Sequence, residues 1–433
     1  MKEVILIKGG YIVDPGNGRE GVFDILVEKG KIVKIEKNIK DEGHKLIDAG
    51  GKFILPGLVD MHCHLREPGR EDEETLLSGS LAGIKGGVTT LCCMPNTEPA
   101  IDNQGVVEFI YLENRKIKLI DIYPVGAITK KREGKELAEI GELKKAGVIA
   151  LSDDGNSVMD SEVMRRAMEY SKMFDLLVIS HCEDTNLSRG GLMNEGYRAS
   201  FLGLKGIPPE AETIMVARDI KLAKLTKAKL HIAHLSCKES VELIRQAKRE
   251  GIKVTCETCP HYFSLTEESV LDYNTNCKVN PPLRTEEDKE AIKEGLKDGT
   301  IDVIATDHAP HADFEKDVEF SQASFGIIGL ETALGIALKE LVETKTINLS
   351  QLVEKMSFLP SKILGLDKGK LSVGENADLI ILDLNKSWKV EKEKIVSKSK
   401  NSPFLNWTLP GVVEYVILGE KLLLDNGRLN HFE

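Results

Sequence analysis

Positive charge is scarce in this chain of 433 residues, in which 58 lysines and arginines stand against 69 aspartates and glutamates, a formal net charge of −11. A chain of that sign has no overall basic field to attract nucleic acid or an anionic membrane surface. An anionic ligand would therefore need locally placed positive charge.

Long apolar runs are also missing. No stretch reaches the roughly 18 apolar residues of a membrane-spanning helix, and the first residues lack the long apolar core of a secretory signal. The eight cysteines are few for this length, and several lie in apolar runs, which is typical of buried thiols in a reducing compartment. We expect a cytoplasmic protein without a membrane segment.

The two ends of the chain share one pattern and the middle has another. Residues 1–54 and 367–433 alternate apolar and polar side chains between glycine-rich turns, which predicts a small β-sandwich domain formed by both ends. Between residues 55 and 366, eight apolar runs alternate with helical segments. Eight such units close a parallel barrel, so the predicted fold class is α/β, with a (β/α)8 TIM-type barrel. A doubly wound open sheet is the competing architecture.

Polar residues that could carry chemistry lie at the carboxyl ends of the apolar runs. In a barrel these ends form the catalytic face, where residues distant in sequence converge. They are His62, His64, Asn96, Asp153, Asp154, His181, His234 and Asp307.

The histidines and carboxylates of this group favour a binuclear metal site. His62 and His64 are two apart on a predicted strand, so both point into the barrel while Cys63 points toward the helices. His231 and His234 are three apart, so we expect only one to enter the barrel, and His234 is nearer the strand end. Four histidines with carboxylates can hold two divalent cations, and such ligands favour zinc.

The fourth apolar run narrows the choice of a group that bridges the two metals. Barrel hydrolases of this kind often use a carbamylated lysine there, but the run GVIALSDDG contains no lysine. Lys144 and Lys145 precede it, at the wrong end of the strand. Asp153 or Asp154 must then supply the carboxylate, and because they are adjacent only one can face the metals.

Seven motifs carry a resemblance to a known family. They are MHCHLREPG at 61–69, CMPNTEP at 93–99, SDDG at 152–155, HCED at 181–184, HIAHLS at 231–236, VNPPLR at 279–284 and ATDHAPH at 305–311. In this order they make the sequence similar to dihydroorotases of the amidohydrolase superfamily, of the longer type with an aspartate bridge. One departure is Glu67, where the family more often has aspartate, and we expect it to have little effect.

The resemblance implies a role for each candidate site residue. The expected ligands of two zinc ions are His62, His64 and Asp307 for one ion, His181 and His234 for the other, and Asp154 between them. The residues expected to hold a substrate carboxylate are Arg66, Asn96 and His311, and Asn280 would line the pocket. Arg66 also fits on physical grounds, because a planar and always charged guanidinium two residues beyond His64 can reach a carboxylate beside the metals.

The implied reaction is the reversible cyclisation of N-carbamoyl-L-aspartate to L-dihydroorotate in pyrimidine biosynthesis. We expect a hydroxide held between the two metals to attack the ring amide carbonyl. Asp307 would be the catalytic proton shuttle, which takes the proton of the hydroxide and delivers it to the leaving ring nitrogen.

Two other functions are alternatives. The first is hydrolysis of another cyclic amide, as by a hydantoinase or allantoinase, which usually needs the lysine missing from the fourth run. The second is a non-catalytic scaffold for aspartate transcarbamoylase, although silent relatives typically lose metal ligands and this chain keeps them. Related long enzymes can associate with that transferase, and we also expect a homo-oligomer.

Two neighbouring features have open roles. Cys182 follows His181, and its thiol either faces the helices or competes for metal. The polar segment 311–326 has no clear period, and we interpret it as a mobile loop over the mouth that excludes water during turnover.

Overall fold

The computed structural model describes residues 4–430, and within them the chain forms twenty strands. In chain order these are β1 (Ile5–Asp14), β2 (Arg19–Glu28), β3 (Lys31–Glu36), β4 (Lys45–Asp48), β5 (Phe53–Pro56), β6 (Leu58–Cys63), β7 (Val88–Cys93), β8 (Asp121–Pro124), β9 (Gly126–Ala127), β10 (Ala150–Ser152), β11 (Leu177–Ser180), β12 (Met193–Asn194), β13 (Gly206–Ile207), β14 (Leu230–Ile232), β15 (Val254–Thr258), β16 (Val303–Ile304), β17 (Asp378–Lys389), β18 (Thr408–Leu418), β19 (Lys421–Asp425) and β20 (Arg428–Leu429). Residues 1–3 and 431–433, the outermost parts of the two predicted terminal segments, lie outside the described residues.

The α-helices of the same range follow the barrel strands. They are α1 (Leu76–Gly86), α2 (Gln104–Ile117), α3 (Ile140–Ala146), α4 (Ser161–Met173), α5 (Tyr197–Leu202), α6 (Glu210–Thr226), α7 (Lys238–Arg249), α8 (Pro260–Ser264), α9 (Glu286–Asp298), α10 (Asp313–Lys316), α11 (Ala333–Ala337), α12 (Leu349–Val353) and α13 (Leu359–Leu364). Side-chain caps begin several of them, as Asn103 does for α2 and Asp160 for α4. Among residues 4–430, no helix combines the length and the apolar character needed to cross a membrane.

Eight parallel strand positions close into a barrel. One ladder contains β6, β7 and β8, and the other runs β16-β15-β14-β11-β10-β9, with only Val125 between β8 and β9. The Val125 N–H donates to the Cys93 carbonyl at 2.9 Å, so the pairing with β7 continues through the one-residue gap between β8 and β9. The barrel closes where the His64 N–H donates to the His308 carbonyl at 2.8 Å, beside a parallel bridge from Cys63 to His308.

Both faces of the barrel strands are buried, which explains why their sequences are apolar without interruption. In β7, Leu91 and Cys93 belong to the layer between strands and helices, whereas Cys92 packs inside the barrel with Ile179 of β11. Alternation along each strand therefore separates an outer and an inner apolar set. The predicted barrel is confirmed.

Strands from both chain ends form a second sheet. Its order is β20-β19-β18-β17-β5-β1-β2-β3, and β4 pairs with β1. The late strand β17 pairs antiparallel with the early strand β5, with Ile381 opposite Ile54. These two residues share a separate apolar core with Ile7, Ile12 and Ile25. The predicted fold class, α/β with a (β/α)8 barrel and a β-sandwich formed by both ends, is confirmed.

The domain boundaries 1–54, 55–366 and 367–433 stay a prediction. Strand β5 runs across the first of them as far as Pro56. The 18 residues between β17 and β18, 390–407, return to the barrel, as described below.

An ion cluster at Lys368 joins the barrel to the second sheet. Its ammonium nitrogen lies 2.5 Å from Asp121 Oδ2 in β8 and 3.0 Å from Asp378 Oδ2 in β17. Burial alone would lower the pKa of Lys368, but the Asp378 and Asp121 carboxylates raise it. The ammonium therefore stays charged and holds a carboxylate from each part of the fold.

Replacing Lys368 with methionine should lower the free energy of unfolding by about 2 kcal/mol, because two carboxylates lose a shared and largely buried cation. The midpoint of urea unfolding measures this loss. The matched control is Lys370→Met, because Lys370 pairs with Asp367, whose side chain is 67% exposed, and such a pair contributes less than about 1 kcal/mol. Equal midpoints for the two variants would show that the cluster does not stabilise the junction.

Candidate metal centre and active site

Six of the predicted residues meet at one rim of the barrel. All are buried, and each lies at the end of a strand or just beyond it, because parallel strands bring their carboxyl ends together. They are His62 in β6, His64 beyond it, Asp154 after β10, His181 after β11, His234 after β14 and Asp307 after β16.

The Asp154 carboxylate lies at the centre of this group. Its Oδ1 is 3.3 Å from His62 Nε2, 3.4 Å from His234 Nε2 and 3.6 Å from His181 Nδ1. Its Oδ2 is 3.4 Å from His64 Nε2. Two ligands bound at about 2.1 Å in a tetrahedral site are separated by about 3.4 Å, so this spacing suits ligands of shared cations.

Asp307 completes one side of the group. Its Oδ1 is 3.0 Å from His64 Nε2 and 3.5 Å from His62 Nε2. The ligand atoms of His62, His64 and Asp307 lie within 4.8 Å of one another, as do those of His62, Asp154 and His234. His181 Nδ1 lies 2.8 Å from His234 Nε2 on the other side.

Three buried atoms in this group make no hydrogen bond, which tests whether a cation fits. They are His62 Nε2, Asp154 Oδ1 and His234 Nδ1. An unpartnered buried polar atom costs free energy, and a bound cation would remove that cost for the two that lie 3.3 Å apart, His62 Nε2 and Asp154 Oδ1. Burial alone would raise the pKa of Asp154, but His62 and His181 hold it well below its ordinary value, which keeps the carboxylate ionised. Nitrogen and carboxylate oxygen donors fit a divalent metal such as zinc.

A carboxylate that sequence reasoning missed lies beneath the centre. Glu257 Oε1 is 2.5 Å from His62 Nδ1, and its Oε2 is 3.2 Å from His231 Nε2. The contact holds the His62 ring with Nε2 toward the proposed metals, as carboxylates commonly do for ligating histidines. The sequence did contain a sign of it, because Glu257 is the one acidic residue of the apolar run KVTCET. Burying a carboxylate there is costly unless it has a partner.

The expectation that only one of His231 and His234 enters the barrel is wrong. His231 lies inside β14, where alternation holds, and points inward to meet Thr255 Oγ1 at 2.8 Å. His234 lies two residues past the end of β14 and has a φ of +33°, so strand alternation does not govern its direction. Both rings therefore face the interior, at different depths.

The adjacent aspartates have different partners. Asp153 Oδ1 accepts hydrogen bonds from the N–H groups of Ile128 at 2.8 Å and Thr129 at 3.0 Å, and the Thr129 hydroxyl donates to Oδ2. Arg132 of the same loop donates from Nη1 to the Asp154 carbonyl at 2.7 Å. Asp153 thus ties down the preceding loop, while the side chain of Asp154 points to the histidines.

A cavity of about 240 Å³ opens beside the centre. It contains all four residues expected to contact substrate, whereas His62 lies below it and is fully buried. The predicted residues that line it are His64, Arg66, Asn96, Asp154, His181, His234, Asn280, Asp307 and His311. The structure therefore brings the predicted metal and substrate residues to one place.

One corner of the cavity is positively charged. Arg66 Nε lies 2.8 Å from Glu73 Oε2 and donates to the Pro310 carbonyl at 3.1 Å, while Nη2 lies 3.4 Å from His311 Nε2. Glu73 also meets His311 Nδ1 at 2.9 Å. Burial and the Arg66 guanidinium lower the pKa of His311, so Arg66 supplies the charge of this corner. Sequence reasoning missed Glu73 as the residue that holds both.

Two short contacts orient the remaining pocket residues. Asn96 Oδ1 lies 2.7 Å from His64 Nδ1, and Asn280 donates to Glu183 Oε2 at 2.9 Å. Glu183, a further residue that sequence reasoning missed, also lies 3.0 Å from His181 Nε2. Each pocket amide is thereby connected to a proposed metal ligand.

Comparison with known proteins agrees with this geometry. A family described as "Dihydro-orotase-like" matches residues 51–240. A dihydroorotase from Acetivibrio thermocellus is 55% identical over 426 residues, covering 97% of this chain and 100% of that protein. One from Caldicellulosiruptor saccharolyticus is 52% identical, covering 99% of this chain and 100% of that protein. The chain belongs to the dihydroorotase family.

Solved structures similar to this dihydroorotase-family chain share its whole fold. The L-hydantoinase (dihydropyrimidinase) of Arthrobacter aurescens has a TM-score of 0.88 at 26% identity and covers 100% of this chain and 98% of its own. A dihydropyrimidinase from Brevibacillus agri has a TM-score of 0.85 at 23% identity, covering 98% and 96% of the two chains. Both show the same barrel fold. The dihydroorotase relatives, together with the L-hydantoinase, indicate a metal-dependent cyclic amidohydrolase.

Two side chains noted from the sequence, those of Cys182 and Glu67, point away from the candidate metal centre of this dihydroorotase-family chain. Cys182 Sγ is 3.5 Å from Ser180 Oγ and 3.7 Å from Asp219 Oδ2 of α6, so it faces the helices. Glu67, the departure from the family pattern, accepts a hydrogen bond from the Leu76 N–H at 2.8 Å and so caps the start of α1.

The segment 311–326 covers one side of the cavity. Phe325 and Gly326 line the cavity directly. Lys278 Nζ donates to the Phe320 carbonyl and Lys316 Nζ to the Ser324 carbonyl, both at 2.7 Å. Its place over the mouth agrees with the prediction, and its motion stays a prediction.

Replacing Asp154 with alanine should weaken metal binding by about 100-fold or more, because the one carboxylate that faces all four histidines is lost. Metal analysis after dialysis measures the ions kept per chain. Asp153→Asn is the control, because Asp153 contacts the neighbouring loop, and we expect it to keep its metal. Full metal content in Asp154→Ala would contradict the bridging role.

Proposed function

We propose that the chain interconverts L-dihydroorotate and N-carbamoyl-L-aspartate, a step of pyrimidine biosynthesis. The observation that carries the proposal is a single cavity that contains both Arg66 and a cluster of histidines and carboxylates suited to metals. Dihydroorotate has the two groups such a cavity would bind, a ring carboxylate and a ring amide carbonyl. Relatives named dihydroorotase at 55% and 52% identity support the same reaction.

Two zinc ions per chain are part of this proposal. His62, His64 and Asp307 would hold one ion, His181 and His234 the other, and Asp154 would contact both, as its distances to the four histidines suggest. When bound, such cations make water acidic enough to attack near neutral pH and polarise a carbonyl.

The positive corner would orient the ring. Glu73 holds Arg66 through Nε, which leaves the terminal nitrogens beside His311 for the substrate carboxylate. Asn96 would add an amide contact to the same carboxylate, and Asn280 would line the opposite wall. A guanidinium matches a carboxylate with two parallel hydrogen bonds, so the ring is fixed in one orientation.

Asp307 is the proposed proton shuttle. In the hydrolytic direction its carboxylate takes a proton from the attacking water and delivers it to the ring nitrogen as the amide C–N bond breaks. The carbonyl carbon becomes a carboxylic acid, which ionises and releases the second proton of the water to solvent. The nitrogen becomes the end of the carbamoyl group. The biosynthetic direction reverses these transfers.

The purified chain supplied with zinc should interconvert dihydroorotate and N-carbamoyl-aspartate while holding about two metal ions per chain. The turnover rate and the number of bound metal ions per chain, measured on the same preparation, test this directly. Hydantoin and dihydrouracil serve as rival substrates, because the structural neighbours include a hydantoinase and dihydropyrimidinases. Faster turnover of either rival would contradict the proposed substrate, and turnover with one metal would contradict the binuclear site.

Replacing Asp307 with asparagine should lower turnover in both directions by about 10³-fold or more, because the proton shuttle is lost. Steady-state rates in each direction measure the effect. Asp302→Asn is a matched control, because Asp302 precedes the same strand at the opposite end of the barrel, where it contacts Lys248 and the Cys256 N–H. Near-normal turnover in Asp307→Asn would rule out the assignment.

Assembly and location complete the proposal. We propose a homo-oligomer in the cytoplasm that associates with aspartate transcarbamoylase, on the basis of the resemblance to long dihydroorotases. Light scattering of the purified chain tests for the homo-oligomer, and gel filtration of the chain mixed with aspartate transcarbamoylase tests for their association. A chain that forms the complex but turns over no dihydroorotate would favour the scaffold function.

A further inference from the structure

The connection between β17 and β18 reaches the active site. Glu331 accepts hydrogen bonds from the Val396 and Ser397 N–H groups, each at 2.9 Å, and Glu74 accepts one from the Lys398 N–H at 3.1 Å. These carboxylates attach the 395–402 segment to the outside of the barrel rim. The segment is therefore held at several points before it reaches Asn401.

The buried Asn401 side chain joins two stretches of backbone. Its Nδ2 donates to the Ala309 carbonyl at 3.0 Å and to the Gly326 carbonyl at 3.1 Å, and its Oδ1 accepts from the His311 N–H at 3.1 Å. Its own carbonyl accepts from the Ile328 N–H at 3.1 Å. Two acceptors and one donor must be satisfied together, and only a side-chain amide offers the matching groups.

Both stretches line the positive corner of the cavity, beside Arg66. Ala309, His311 and Gly326 are lining residues, although Asn401 itself is not. The stretch 309–311 is held from the other side by Arg66, whose Nε donates to the Pro310 carbonyl. The stretches approach closely, since a Cβ on Gly326 would lie 2.8 Å from the Ala309 carbonyl oxygen. Small changes in this contact would alter the corner.

We propose that Asn401 is a positioning residue for the substrate carboxylate, which holds residues 309–311 against 326–328 so that Arg66 and His311 keep their spacing. This inference rests on the proposed function. It gives the second sheet a part in substrate recognition, because Asn401 lies in a connection between two of its strands.

Asn401→Asp is the sharpest test. Aspartate keeps the shape of the asparagine side chain, but in place of the donating Nδ2 it presents a carboxylate oxygen to the two carbonyls, and that oxygen can only accept. We expect the Kd of orotate, a ring with the same carboxylate, and the KM of dihydroorotate to rise by about 10- to 100-fold. Bound metal should be unchanged and kcat should change by less than about threefold. Calorimetry, steady-state kinetics and metal analysis measure these quantities.

Ser402→Ala is the matched control, because the Ser402 hydroxyl only accepts a hydrogen bond from the nearby Phe404 N–H. Asn401→Ser, which keeps one donor, replaces the aspartate variant if that variant does not fold. Equal increases in the Kd of orotate for the Asn401 and Ser402 variants would overturn this inference alone. Loss of bound metal and of kcat in the Asn401 variant, with an unchanged Kd of orotate, would do the same. A wild-type chain that holds metal but binds no orotate would overturn the proposed function and this inference together.

Discussion

The burial of one carboxylate among four histidines governs the centre of this molecule. Asp154 is removed from water by the barrel, and a buried charge is costly unless it is paired or binds a metal. Its two oxygens lie 3.3–3.6 Å from nitrogens of His62, His64, His181 and His234. Those nitrogens come from the ends of three strands, so the carboxylate can be accommodated only when the barrel is closed. Fold and site therefore depend on the same constraint.

A second set of carboxylates controls where the site residues point. Glu257 holds His62, Glu183 holds His181 and Asn280, and Glu73 holds Arg66 and His311. Burial alone would raise the pKa of Glu257, but His62 and His231 hold it below its ordinary value, so it is ionised. The proposed metal ligands and substrate residues are thus oriented by one kind of contact, a buried or partly buried acid shared between two side chains.

The cavity is assembled from parts of the chain that lie far apart. Residues 66–74 follow the first barrel strand and residues 309–326 follow the last. The 395–402 segment, which contacts both, connects two strands of the second sheet, β17 and β18. The strand pairing of Ile381 with Ile54 places that sheet beside the first barrel strand, and Lys368 bridges from it to Asp121. A connection between two strands of that sheet is consequently close enough for Asn401 to hydrogen-bond the backbone of Ala309, His311 and Gly326, which line the cavity.

The alternation of strands and helices could be predicted from the sequence, as could the histidines and aspartates at strand ends. These features depend on local period and on residue type, which are visible without a fold. Residue spacing left the choice between Asp153 and Asp154 open, although the family resemblance indicated Asp154. The sequence also misdirected His231, and it did not reveal Glu257 or Asn401. Asn401 and His311 are 90 residues apart, and His62 and Glu257 are 195 apart. These contacts depend on the folded chain, because hydrogen-bond geometry between distant residues is set by how the strand ends and loops are brought together.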